Sequence, residues 1–470
     1  MGVLLINPPS FVSENEVMDR FQIITPPLGL AYLAGMLEHY EYPVKILDGI
    51  ALNLSLSRLK KLIKKEQPRI VGVTATTSQI FDALKVVKAA KEVCPECFTI
   101  IGGAHVTFLP LETMNDPLYG TYLDAVCIGE GEQTLLELTQ TLEKNGGDLS
   151  TVRGIAYRNN SSIKINEPRP LIEDLDSLPW PSRHLLPMDR YKLLGKQEDI
   201  GHTYTSRGCP FKCIFCSSSK ILGNRFRARS PESVVEEFEH IVSEYDPMTI
   251  EFVDDLFTLN RKRVTKICRK LRKRHLHDMP WACSSRINVS TKNMLAEMKK
   301  AGCLLIYYGI ESGSQRVLNL MKKQLRIEQI VKVVKWTQEA KINILGSFLF
   351  GIPGETKAEM EQTIRFAKKL GLLYTQFSIA TPYPGTELYK IARANNYLVE
   401  TDWSKYTSGK PIIETEDFTS DDLKHYLRKA YLTFYLSPRV LLNQIRAKNL
   451  FLFVNAARLL IKSKLASSAT

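Results

Sequence analysis

Twice along this chain, short apolar runs rich in β-branched residues alternate with helix-length amphipathic stretches. That rhythm leaves few folds open, because parallel strands joined by crossover helices must bury both faces of their sheet. In the first block the strand runs are Val3 to Ile6, Val44 to Leu47, Ile70 to Thr74, Thr99 to Ile101 and Ala125 to Ile128, with helices such as Leu28 to His39 and Ser78 to Val93 between them. They predict a doubly wound α/β domain over residues 1–150. The second block has strand runs at Thr203 to Ser206, Thr249 to Asp254, Trp281 to Ser285, Leu304 to Gly309, Leu345 to Phe350 and Gln376 to Ala380. Helical stretches at Pro231 to Glu244, Asn260 to Arg274, Thr291 to Ala301, Ile327 to Ala340 and Lys357 to Leu370 separate them. Six βα repeats predict a parallel barrel, closed or partly closed, over residues 199–390. Between the blocks, residues 151–198 hold a hairpin, Gly154 to Arg158 and Ile163 to Ile165 around Asn159-Asn160, and a linker with Pro168, Pro170, Pro179, Pro181 and Pro187. Residues 391–470 read as a helical extension. A chain of 470 residues accommodates that many units.

The composition, 44% hydrophobic and 24% charged, is that of a soluble globular protein. Nine cysteines spread over a long chain, behind a start (Met1 to Ile6) that runs straight into a strand, predict a reduced, cytoplasmic setting with no signal peptide. The net charge of +13 is concentrated: from Ser420 to Thr470 nine Lys and Arg residues stand against Asp421 and Asp422, which leaves +7 there. In that tail Tyr431 to Tyr435, Val440 to Leu442 and Leu450 to Val454 interleave with Arg439, Arg446, Lys448 and Arg458. This basic amphipathic pattern suits either a peripheral contact with an anionic membrane face or a helical cap whose apolar side covers the barrel. It is too interrupted by charge to span a bilayer, which takes about 20 apolar residues. The basic run Arg261 to Arg274 has few aromatics and reads as the solvated face of a barrel helix, so nucleic acid is not the expected partner.

In doubly wound sheets, ligands sit at the C-terminal strand ends. Those ends carry Asn7-Pro8-Pro9, Asp48-Gly49, Thr74-Ala75-Thr76-Thr77, Gly102-Gly103-Ala104-His105 and Gly129-Glu130-Gly131-Glu132. Each is either a tight turn or part of a ligand crevice; together they predict a crevice.

The chemistry is carried by Cys209-Pro-Phe-Lys-Cys213-Ile-Phe-Cys216, placed where the first barrel strand delivers it. Thiolates suit zinc or an iron-sulfur cluster. Structural zinc takes four ligands, typically as two pairs, and no second pair follows at finger spacing. Three thiolates on a [4Fe-4S] cubane leave one iron open. Of the other six, Cys94 and Cys97 form an isolated CxxC, Cys127, Cys283 and Cys303 lie in apolar runs, and Cys268 is on the basic helix.

This loop resembles the radical S-adenosylmethionine (SAM) superfamily, whose CxxxCxΦC hallmark has an aromatic at the position of Phe215. The resemblance extends to the strand ends that follow: Asp254 and Asp255, where the family binds the SAM amino group; Ser284 and Arg286, where a cation pairs with the SAM carboxylate; Glu311 and Ser312, on the ribose; Gly351 and Pro353, against adenine. With a strand-turn-helix domain ahead of the barrel, residues 1–390 resemble the cobalamin (B12)-binding radical SAM enzymes, which include methyltransferases and the anaerobic cyclase of chlorophyll synthesis. The resemblance implies a Rossmann-like cobalamin-binding domain and a partial (β/α)6 radical SAM barrel. Its expected cofactors are a [4Fe-4S] cluster, SAM and cobalamin, with Asn7, Pro8, Thr74, Thr76, Gly102, Gly103, His105, Gly129, Glu130 and Gly131 around the corrin and its tail. Asn7-Pro8-Pro9-Ser10 stands where DxHxxG would supply a cobalt-ligating histidine. The implied reaction cleaves SAM to a 5′-deoxyadenosyl radical that activates an unactivated carbon. Methylation of a lipid-like or other small molecule is first, radical cyclisation or carbon-carbon bond formation on a lipid or tetrapyrrole second. A reductant such as ferredoxin or flavodoxin would supply the electron.

Overall fold

The first block's apolar runs become β1 (Val3–Asn7), β2 (Val44–Asp48), β3 (Ile70–Thr74), β4 (Phe98–Gly102) and β5 (Ala125–Cys127), the inner strands nearly or wholly buried because helices cover both sheet faces, while the edge strand β2 exposes Lys45. The computed structural model describes residues 2–10, 24–144, 147–160, 162–193, 196–197, 200–438 and 440. The hairpin expected beside the linker, β6 (Ile155–Asn159) and β7 (Ser162–Ile165), instead extends this sheet, antiparallel to β5. The order is β2-β1-β3-β4-β5-β6-β7. Strand order reverses beside β1, with β2 on one side and β3 on the other. The C-terminal ends of β3, β4 and β5 form one rim. Beyond the Pro-rich linker come two short strands, β8 (Lys192–Leu193) and β9 (Lys196–Gln197).

The second sheet is wholly parallel, in the order β10 (Ile200–Thr203), β13 (Thr249–Phe252), β14 (Trp281–Ser285), β15 (Cys303–Glu311), β16 (Asn343–Phe350) and β17 (Tyr374–Ile379). No pairing joins β10 to β17 among the described residues, so the barrel is open on that side. One expected strand is corrected: Thr203 to Ser206 is broken, β10 ending at Thr203 and a separate antiparallel pair following, β11 (Ser206–Arg207) with β12 (Arg227–Ala228). The cause is tertiary. Asp254, at the end of β13, accepts from the Thr205 amide, the Thr205 hydroxyl and the Ser206 hydroxyl, each at 2.5 Å, and turns the chain there.

The extension after residue 391 is helical only in part. A helix, Glu387–Ala394, leads into irregular chain closed by a Leu398–Ile413 bridge, then the helix Ser420–Tyr435. That last helix covers the edge strand β17: Phe434 is buried against Phe377, and the hydroxyls of Tyr431 and Tyr435 donate to the carbonyls of Phe377 and Thr375. Tyr431 to Tyr435 therefore cap the barrel. The rest of the tail's amphipathic pattern, Arg439 and residues 441–470, lies outside the described residues. Among those described, no helix is long and apolar enough to cross a membrane. The basic helix Arg261–Lys273 is a solvated face whose Lys270 and Arg272, with Arg274 beyond its end, pair with Glu232, Glu297 and Glu239.

Candidate cofactor sites at the two sheet rims

The cysteine loop leaves β11 through Gly208, whose φ of +87° excludes most side chains; a Cβ there would lie 2.3 Å from the Arg225 carbonyl oxygen. Its backbone is anchored throughout. The Cys209 amide donates to Gly223 O (3.1 Å), the Ile214 amide to Met321 O (3.1 Å), and the Leu388 amide to Ile214 O (2.8 Å). Cys209, Cys213 and Cys216 are all half-buried, and burial pushes the thiols of Cys209 and Cys216 above their ordinary range. Among the described residues, no three His, Cys, Asp or Glu side chains converge on a point that could hold a single metal ion. The three thiols are close enough for the charges of Cys216 and Cys213 to add to the rise at Cys209.

Around that frame stand the ends of β13 to β16. Arg286 is buried with its guanidinium 3.8 Å above the Phe211 ring; one Nη donates to the Cys213 sulfur at 3.3 Å, while Nε and the other Nη have no partner. A buried cation with two unused donors next to the thiols is fitted to receive a carboxylate. Glu311, in the left-handed region at φ +69° on a bulge of β15, pairs with Lys323 at 2.6 Å, and both are buried. The Lys323 ammonium also lies 5.6 Å from the centre of the half-buried Phe215 ring. Asp255 is exposed at the rim and accepts from Ser218 at 2.9 Å. Ser284 is half-buried on β14, and its carbonyl accepts from the Phe257 amide.

Three of the expected SAM contacts are engaged in holding the fold. Asp254 is occupied by Thr205 and Ser206. Ser312, fully buried, bonds the Thr363 hydroxyl at 3.0 Å. The Gly351 amide donates to Glu355 at 2.7 Å, as does that of Ile352 at 3.2 Å. Pro353 follows half-buried in the same turn. Glu355 is itself wholly buried, and burial pushes its carboxyl up to about 8 even against those two amides, which favour the charged form.

At the first sheet's rim a cavity of about 250 Å³ opens, lined by Gly72 and Thr74 of β3, Gly102 and Gly103 of the β4 end, Gly129, Glu130 and Gly131 after β5, and the helix residues Leu30 and Leu33. Its walls are mostly apolar. A Cβ at Gly129 would meet nothing within 4 Å, and one at Gly102 only the Cys127 Cβ at 3.7 Å, so side chains there would project into open space. Gly72 and Gly103 instead pack closely, a Cβ there lying 2.9 Å from Leu5 Cδ2 and 2.5 Å from Ala75 O.

Four residues expected around the corrin are not in the lining of this cavity. Asn7 donates to Asp48 (2.9 Å), Pro8 is buried beside it, and Thr76 is exposed and bonds Gln79 in a turn. His105 is buried against Trp403, its Nδ1 has no partner, and burial lowers its pKa to about 4, so the imidazole is neutral. Glu130 does line the cavity, but its carboxylate turns to two buried arginines, Arg207 and Arg227. Burial alone would raise that carboxyl; the hydrogen bonds from Arg227 and the charge of Arg207 hold it below the usual range. Sequence reasoning missed Arg207, Tyr204 and Leu222 on the cavity wall, which come from the cysteine-bearing hairpin. It also missed Gly72, whose signal was available: glycine inside a strand marks close approach.

Residues 203–367 match the Radical SAM superfamily, and residues 16–139 match the B12 binding domain. An uncharacterized methyltransferase of Pyrococcus horikoshii is 44% identical over 462 residues, covering 98% of each chain. This chain belongs to the cobalamin-binding radical SAM family. Its cofactors are a [4Fe-4S] cluster, SAM and cobalamin. The anaerobic magnesium-protoporphyrin IX monomethyl ester cyclase of Rubrivivax gelatinosus is 29% identical, covering 94% of this chain and 78% of its own. The fold is shared with the radical SAM methyltransferase TsrM from Kitasatospora setae, solved with cobalamin and a [4Fe-4S] cluster, at a TM-score of 0.70 and 18% identity over 91% of this chain and 81% of that one.

Proposed function

We propose that the chain methylates a carbon of a small-molecule substrate. The observation that carries the reading is the pairing of two prepared sites: an unsatisfied Arg286 guanidinium against the thiol loop, and a glycine-lined cavity whose wall that same loop's hairpin completes. When bound, the cluster supplies the electron that cleaves SAM, and cobalamin supplies the methyl carrier.

The protein's own part is placement and exclusion of water. In this reading Cys209, Cys213 and Cys216 hold the cluster, and Arg286 receives the SAM carboxylate on its two free donors. Glu311, held by Lys323, accepts from the ribose hydroxyls. The amino group goes to Asp255, because Asp254 is committed to the chain turn. The Gly351 to Pro353 backbone supports the adenine. Gly102, Gly103, Gly129 and Gly131 admit cobalamin's nucleotide tail, with Thr74 at the mouth. Residues 1–150 then serve as the cobalamin domain and 199–390 as the SAM domain. His105, 2% exposed with a neutral ring, supports this rim from behind Trp403. A reductant of the ferredoxin or flavodoxin class supplies the electron. A membrane-bound lipid substrate loses one of its supports, because Tyr431 to Tyr435 face the barrel.

The test is anaerobic purification with cobalamin supplied, followed by reading of iron, sulfide and cobalt and of the products of SAM turnover. S-adenosylhomocysteine together with 5′-deoxyadenosine is expected. Deoxyadenosine alone would replace methylation with the second reading, cyclisation or carbon-carbon coupling, which the similarity to the Rubrivivax cyclase favours.

A further inference from the structure

The turn Gly129-Glu130-Gly131-Glu132 forms the wall of the cavity and starts the helix Glu132–Glu143. Its two carboxylates face away from the strands and grip the cysteine hairpin. Arg207 donates to Glu130 at 3.0 Å and to Glu132 at 2.5 Å. Arg227, paired with Arg207 across β11 and β12, adds two bonds to Glu130, at 2.9 and 3.0 Å. All four side chains are at least nine-tenths buried.

The two arginines differ in their ties. Arg227 also donates to the carbonyls of Ile172 and Leu222, so the linker and the loop hold it without the cavity wall. Among the described residues Arg207 makes its side-chain hydrogen bonds to Glu130 and Glu132 alone, and it rests over the Tyr32 ring, itself part of the cavity lining. Only Gly208 separates Arg207 from Cys209 along the chain, and a Cβ there would lie 2.3 Å from the Arg225 carbonyl oxygen and 3.0 Å from those of Gly223 and Leu222. Buried ion pairs of this kind seldom add stability over an apolar replacement; what they impose is geometry.

We propose that Arg207 is a positioning residue that couples the two cofactor sites, so that cobalamin in the cavity and the cluster on the loop each bind more tightly when the other is in place. A shift of the Gly129 to Glu132 turn on cofactor entry moves both carboxylates that clamp Arg207, and the displacement reaches Cys209 through a rigid segment. Reciprocity is required: the factor by which the cluster tightens cobalamin is the factor by which cobalamin tightens the cluster. The inference rests on the cobalamin reading above and adds the link between the sites.

The experiment is an anaerobic absorbance titration of hydroxocobalamin into the full chain, once with the cluster reconstituted and once after chelator stripping. Wild type, Arg207→Ala, Arg207→Lys and Glu132→Gln are compared. Wild type should bind cobalamin roughly 5- to 150-fold more tightly with the cluster present, the usual range of such coupling. In Arg207→Ala and Glu132→Gln that ratio should fall to within about twofold of one, and Arg207→Lys, which keeps the charge, should recover part of it. Iron uptake and circular dichroism of Glu132→Gln should match wild type, because Glu130 and Arg227 stay paired; this variant carries the test if Arg207→Ala folds poorly. A wild-type ratio near one, or a full ratio in Glu132→Gln, overturns the proposal. No cobalamin binding in either state overturns the cobalamin reading itself and the coupling with it.

Discussion

Replacing Glu355 by glutamine should make the barrel's stability less sensitive to alkali, by an amount the structure sets. The wholly buried carboxyl is raised from an ordinary 4.5 to about 8. The folded state thus keeps a proton that the unfolded chain has released over about 3.5 pH units. A folded-state pKa above the unfolded one contributes stability that is fully present below about pH 4.5 and is lost as pH rises to about 8. At about 1.4 kcal/mol per pH unit, the loss is on the order of 5 kcal/mol across that window. Glutamine keeps the acceptor for the Gly351 and Ile352 amides and carries no titrating proton, so Glu355→Gln should lack this slope. Urea titrations of both proteins at pH 5, 6, 7 and 8 read it: the difference in unfolding free energy should move in the variant's favour at each step. Parallel pH profiles for the two proteins would refute the argument, because they would mean that Glu355 is already ionised in the fold.

Three further outcomes are expected. Gly102→Leu should abolish cobalamin binding while iron uptake on reconstitution without cobalamin stays at the wild-type level, since the new side chain enters the cavity from a position outside the turn that holds Arg207; cobalt and iron contents measured together check it. Arg286→Ala should weaken SAM binding to cluster-loaded protein by about 10- to 150-fold, the equivalent of about 1.5 to 3 kcal/mol for hydrogen bonds to a charged group. Equilibrium dialysis with labelled SAM measures it. Phe434→Ala should cost about 3 to 5 kcal/mol, because a fully buried ring packed on Phe377 leaves a cavity behind; an unchanged thermal melt would show that the last described helix does not hold the barrel edge.

The architecture was legible where local pattern and tertiary role agree. Leu28 to His39 and Lys357 to Leu370 end where the sequence places them, the first as a nearly continuous apolar run and the second because its apolar face repeats at helical spacing. The rim glycines were legible too, since glycine at successive strand ends has few other uses. The limits came from long-range polar contacts. Nothing local to Thr203 to Ser206 says that a carboxylate some 50 residues later will bend it, and a strand reading follows. Gly129-Glu130-Gly131-Glu132 reads as a ligand turn, and its residues line the cavity; its carboxylates answer to Arg207 and Arg227, which no spacing rule connects to them. The tail's Tyr431 to Tyr435 carry the same amphipathic signal whether the apolar side meets lipid or β17, and only the presence of that strand decides between them.

The claim on which the rest depends is that one loop of three thiolates holds the cluster that cleaves SAM. Alanine is substituted in turn for Cys209, Cys213 and Cys216, each protein is reconstituted anaerobically, and iron, sulfide and 5′-deoxyadenosine are measured with SAM and reductant present. Each variant should lose cluster assembly and release no deoxyadenosine, with the fold intact by circular dichroism. A variant that still cleaves SAM at the wild-type rate would contradict the account.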